Sequence, residues 1–192
     1  MRRALLAAGL LLLGSVLFAQ QRGTPKAAAG GNAAKIRQAT SAAPADVGKG
    51  AAVVEMNEKM ESKPLRAGTN GWTCMIMPAG AGVIDSMCMD KTWMTWANAY
   101  MAKKDPPAVT TLGVAYMLHG DHGASNTDPF ADRPTPSNQW VVSPPHVMLL
   151  LPDPKALEAM PTDPHTGGAW VMWKGTKYAH VMLPMSAVQN KP

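Results

Sequence analysis

Residues Asp90 to Lys104, DKTWMTWANAYMAKK, carry the clearest periodic signal in the chain. Trp93, Trp96, Ala97, Tyr100 and Met101 recur at i, i+3, i+4, i+7 and i+8, which places them on one stripe of an α-helix. Asp90 can cap its start, Lys103 and Lys104 suit the negative end of its dipole, and Asp105-Pro106-Pro107 stops it. A helix with one aromatic face needs a sheet to lie on, and core packing is the ordinary role of such a stripe. The same stripe could also serve as a ligand wall.

Candidate strands lie on either side of this helix in the sequence. Ala51–Glu55, Trp72–Met77, Thr110–Leu118, Ala169–Trp173 and Tyr178–Leu183 read as strands, and Trp140–Ser143 with His146–Leu151 as one strand or a pair interrupted by Pro144-Pro145, all bounded by Gly, Pro and Asn turn signals such as Asn70-Gly71. The last two runs flank Lys174-Gly175-Thr176-Lys177 and read as a hairpin. Ala33–Thr40 and Asp153–Met160 predict two short helices, the second with Pro154 at its first position, where the missing N–H costs least. The expected fold is therefore α+β: a mostly antiparallel sheet of about six strands packed by the helix at 90–104 and by two short helices.

The N-terminus has the anatomy of a secretory signal. Met1-Arg2-Arg3 is a positive start, Ala4–Phe18 is an apolar run, and Ala19 offers a small residue for cleavage. The fifteen-residue run falls short of the about 20 residues that cross a membrane as a helix, which disfavours a permanent anchor. Residues 20–32 read as a flexible linker, 33–186 as a single domain and 187–192 as a C-terminal tail. The expected product carries no transmembrane segment after cleavage and is exported, either periplasmic or extracellular.

The net charge of +5 does not describe the domain. Arg2, Arg3, Arg22, Lys26, Lys35 and Arg37 all precede Gln38, and beyond that point 12 Lys and Arg face 13 Asp and Glu. With only Lys103-Lys104 adjacent, the domain lacks the clustered basic surface of a nucleic-acid binder. Cys74 and Cys88 are the only cysteines, and in an oxidising compartment they read as one disulfide. A Cys-x13-Cys metal or redox pair is the alternative, although it lacks the Cys-x-x-Cys spacing that tunes a thiol.

Three groups of residues could carry chemistry. The loop from His119 to Asn138 is the densest polar cluster, and His119, Asp121, His122, Asn126 and Asp128 are its candidate ligand-binding residues. A loop so long is often functional, although it matches neither the calcium-loop pattern nor His-Glu-x-x-His, and its Asn, Asp, Ser and Gly can equally satisfy turn backbone. His146 and Met148 share one face of a strand, and His180 and Met182 repeat the pattern. If the two strands are neighbours, imidazole and thioether converge into a copper-type ligand set, with zinc as the other metal to weigh. Core packing of the same four residues is the bland alternative. Methionine is abundant, 15 in 192 residues, and Met75-x-Met77 and Met87-Cys88-Met89 flank the cysteines; exported Met-rich segments can hold Cu(I), while substitution for Leu at apolar positions is the ordinary explanation. The motifs of nucleophilic hydrolases, dinucleotide binders, P-loops and c-type haem attachment are absent from the sequence.

The segments NGWTCM (Asn70–Met75), MCMDKTWMTWANAYMAKKDPP (Met87–Pro107), GASNTDPFA (Gly123–Ala131), PPHVMLLLPDPKALE (Pro144–Glu158) and VMWKGTKYAHVMLP (Val171–Pro184) together resemble a family of exported bacterial proteins of unknown function. The resemblance spans roughly Ile36 to Met185 and implies no activity and no ligand. Forms of that family often lack histidine at the positions of His119 and His122, which counts against a metal in that loop. The leading expectation is an exported domain that binds a small molecule or an envelope protein, with no evident cofactor. The alternatives are a copper or zinc protein built on His146, Met148, His180 and Met182, and, with least support, a hydrolase assembled on the His119–Asp128 loop.

Overall fold

In the computed structural model, which describes residues 26–185, the elements follow as α1 (Lys26–Thr40), α2 (Ala45–Gly50), β1 (Ala52–Met56), β2 (Ser62–Arg66), β3 (Thr73–Pro78), β4 (Ile84–Met89), α3 (Lys91–Met101), β5 (Gly113–Met117), β6 (Ala124–Ser125), β7 (Trp140–Val141), β8 (His146–Leu150), β9 (Trp170–Met172) and β10 (His180–Pro184). The expected leader, residues 20–25 and the C-terminal tail lie outside the described residues. Two single turns of 3-10 helix, Pro154–Leu157 and Pro164–Thr166, complete the chain.

The fold is α+β, as its sequence predicts, but the main sheet has eight strands in the order β2-β1-β3-β4-β5-β8-β10-β9, not about six. All its pairings are antiparallel except β1 with β3. The additional strands are those with no period-2 apolar pattern. β2, SKPLR, is an edge strand whose Lys63 and Pro64 blunt an otherwise open hydrogen-bonding edge. β4, IDSMCM, interrupts its apolar residues with Asp85 and Ser86. Trp140–Ser143 does not join the main sheet: β7 pairs with β6 in a separate two-stranded ribbon. The hairpin of the last two apolar runs is present as β9 and β10.

Each face of the main sheet has its own core. On one side α1 packs over β1, β3 and β4, and Ala39, Ala42, Ala51, Val53, Cys74, Ile76 and Cys88 are buried together. Cys74 and Cys88 stand directly opposite one another on β3 and β4 and are joined by the expected disulfide. The helix above them starts at Lys26 rather than Ala33, and so takes in part of the stretch read as linker.

On the other side α3 lays Trp93, Trp96 and Ala97 on the sheet. Asp90 fixes its start more firmly than a simple cap: one carboxylate oxygen accepts the Trp93 N–H at 2.7 Å and the other the Val114 N–H at 2.7 Å, locking the helix to β5. The helix ends earlier than 104. Lys103 takes a left-handed φ of 53°, and the Lys104 N–H reaches back to the Ala99 carbonyl at 2.9 Å, which closes the helix before either lysine can sit in its last turn.

Candidate functional site

Because side chains alternate across a pleated strand, Cys74, Ile76 and Cys88 face α1 while Met75, Met77, Met87 and Met89 face α3. The register carries this pattern across the sheet. Met75 lies opposite Met87, Met117 opposite His146, Met148 opposite Met182, and His180 opposite Met172. The result is a floor of thioethers under α3. It bounds a chamber of about 220 Å³ lined by ten methionines, by Trp93, Trp96, Tyr100 and Trp173, and by His180. Asp85 and Asp121 stand at its polar margin, beside the half-exposed Met60.

The aromatic wall is a stack. Trp96 lies parallel to Tyr100 and Trp173 with ring centres 5.7 and 6.3 Å apart, and Tyr100 stacks on Phe130 at 5.6 Å. Trp173 holds its place through its indole N–H, which donates to the Ser125 carbonyl at 2.6 Å. Burial raises the Tyr100 phenol above its usual range, and its hydroxyl donates to the Pro129 carbonyl at 2.8 Å. The long loop thus serves to pin the wall.

Both sheet histidines are buried and are held in the same tautomer. The His146 Nδ1–H donates to the Pro144 carbonyl at 2.7 Å and the His180 Nδ1–H to the Tyr178 carbonyl at 3.0 Å. A carbonyl can only accept, so each ring carries its proton on Nδ1 and presents a lone pair at Nε2. Burial pushes His146 down from its ordinary value and His180 down to about 4, so both are neutral at pH 7. The His146 Nε2 is enclosed with no hydrogen-bond partner. The edges of Trp93, Trp96 and Trp173 surround the His180 ring at 4.9–5.8 Å between centres.

β8 and β10 are neighbours, and His146, Met148, His180 and Met182 share one face. The two imidazoles nevertheless stand on different rungs. Pro184, the partner of His146, is four residues from His180 along β10, about 13 Å of strand, and the Met148–Met182 pair lies between them.

The loop residues are dispersed rather than gathered. His119 Nε2 meets Ser41 Oγ at 2.8 Å beside α1. His122 pairs through Nδ1 with Asp85 at 2.5 Å. An Asp121 oxygen accepts from the backbone N–H groups of Gly123 and Ser143. Asn126 donates to Gln139 Oε1 and to the Thr162 carbonyl, and Asp128 accepts from the Phe130 N–H. Most of these contacts satisfy loop backbone. Among the described residues no three His, Cys, Asp or Glu side chains converge as a ligand set.

Sequence reasoning missed Met60, Met75, Met77, Met87, Met89, Met117 and Met172 as a lining. The signal was present in Met75-x-Met77 and Met87-x-Met89, since a spacing of two on a strand puts thioethers on one face. Comparison of the chain with protein-family models, curated proteins and solved structures finds no match.

Proposed function

We propose that this is an exported binding domain that takes a small apolar guest into the chamber between α3 and the sheet. The observation that carries the reading is the chamber's composition: ten thioethers and four aromatic rings enclose about 220 Å³. An engineered apolar cavity of about 150 Å³ stays dry and holds benzene, so this space suits a single aromatic ring or a short alkyl chain. Unbranched, polarizable methionines fit guests of irregular shape, which is why such surfaces recur in adaptable binding sites. Export is supported by the Met1–Ala19 pattern, the resemblance to exported bacterial proteins and the disulfide. No helix among the described residues is long and apolar enough to cross a membrane.

The test is a titration with benzene and indole, followed by the methyl resonances of the methionines and by thermal melting. The expected result is a set of shifts at Met89, Met148, Met172 and Met182, none at Met94, which lies on α3 outside the chamber lining, and a raised melting temperature. Unmoved methyl signals at the solubility limit of both probes would show that the chamber is closed core.

A further inference from the structure

The end of the chamber beneath the indole rings has a different chemistry from a purely greasy pocket. His180 is the only ring in the lining with a bare imine nitrogen, and two thioethers flank it on the sheet: Met172 directly across on β9, and Met182 two residues on along the same face, with Leu150 on its β8 side. Met148 stands across from Met182 and completes a block of one imidazole and three sulfurs on adjoining rungs. We propose that this block is a site for Cu(I), bound by Nε2 of His180 and the sulfurs of Met172 and Met182, with Met148 beside them.

The proposal rests on reading the chamber as a binding site, and it names a second kind of guest for it. Four features select the ion. Thioether and imidazole are soft, neutral donors, which favour Cu(I) over zinc, calcium or magnesium. The chamber's two carboxylates, Asp85 and Asp121, are committed elsewhere, the first to His122 and the second to backbone N–H groups. A divalent ion at the His180 end would therefore lack anionic ligands. The desolvation cost of a bare ion rises with the square of its charge, so a monovalent ion pays about a quarter as much.

The fourth is the imidazole's orientation. The Tyr178 carbonyl orients the ring by taking its Nδ1 proton, the outer-shell contact that metal-bound histidines commonly have. With the proton held on Nδ1, Nε2 is left as the lone pair available to an ion. His146, on the far side of the Met148–Met182 rung, repeats the arrangement with an enclosed, unpartnered Nε2, but it does not line the chamber.

The experiment is anaerobic titration of the purified, disulfide-bonded protein with Cu(I) kept reduced by ascorbate, in competition with bicinchoninate. Ag(I) is the redox-silent probe for NMR. One equivalent of Cu(I) should be retained, and Ag(I) should move the methyl signals of Met172 and Met182 and the Nε2 signal of His180. The Met172→Leu/Met182→Leu double variant conserves volume, so it should keep its fold while losing affinity by about 100-fold. His180→Gln should weaken binding comparably, and Met94→Leu should leave it unchanged. If His180→Gln fails to fold, the double variant decides alone.

Failure to retain Cu(I), undiminished retention by the double variant, or displacement of Cu(I) by Zn(II) would each overturn the site. If Cu(I) is refused while benzene still moves the chamber methyls, the metal site falls and the apolar-guest reading stands. If both probes are refused, both fall.

Discussion

Reduction of Cys74–Cys88 should cost about 3 kcal/mol, almost all of it through the unfolded chain. The two sulfurs are fully buried between α1 and the sheet, so reduction leaves them in place and changes neither the volume nor the apolar character of that core. What changes is the freedom of the unfolded chain. The cysteines are fourteen apart in sequence, and closing a loop of about 15 residues removes about 3 kcal/mol of denatured-state entropy in the chain-entropy model. For a domain of this length such a loss lowers the melting temperature by roughly 6–12 °C. The assay is urea unfolding of oxidised and reduced wild-type protein, read by tryptophan fluorescence. The reduced form should show a lower midpoint together with a steeper slope, because its unfolded state exposes more surface. A loss below about 1 kcal/mol would mean that the β3–β4 register alone restrains this hairpin in the unfolded chain as well. A loss with native-state rearrangement, seen as shifted methyls on the chamber side, would refute the assignment to the unfolded state.

Asp90→Ala removes two N–H acceptors at once, those for Trp93 and Val114, and should destabilise by about 2–3 kcal/mol in chemical denaturation, with Asp90→Asn recovering part of it. Loss under about 0.5 kcal/mol would contradict the clamp. Gly123→Ala places a Cβ 2.1 Å from the Trp140 indole nitrogen at a φ of 117°, and should cost at least about 2 kcal/mol in melting experiments while displacing Trp140. Acid should destabilise the protein through His180. Its folded value is lowered to about 4, so its contribution is fully present above about pH 6.5 and is lost as pH falls toward 4, by about 3 kcal/mol, with His146 acting in the same direction. Urea midpoints between pH 7 and 4.5 should therefore fall more steeply for wild type than for His180→Gln, and parallel profiles would exclude the effect.

The parts of this fold that were legible in the sequence are those where one residue type repeats at one period. The Trp93–Met101 stripe located α3, and the alternating runs at His146–Leu150 and His180–Pro184 located two central strands. β2 and β4 were obscured because an edge strand tolerates Lys63 and Pro64, and because β4 buries Ser86 and carries Asp85 at the chamber margin. The candidate site was legible only in halves. That His146 and His180 each share a face with a methionine follows from period 2, but the four-residue offset between them is a matter of register, which depends on loop geometry far from either strand. The polar loop drew attention through its composition, yet composition does not distinguish groups that bind ligands from groups that satisfy their own backbone. Asp121 and Asp128 are of the second kind.

The alternation that puts Cys74 and Cys88 under α1 and Met75, Met87 and Met89 under α3 separates two kinds of sulfur by the thickness of one backbone. Peroxide entering from the chamber meets thioethers first, and each sulfoxide it forms turns an apolar stretch of lining into a polar one. The covalent staple behind the sheet is not exposed to that attack. Oxidative injury would therefore fall on the packing under α3 and spare the disulfide on the opposite face of the sheet.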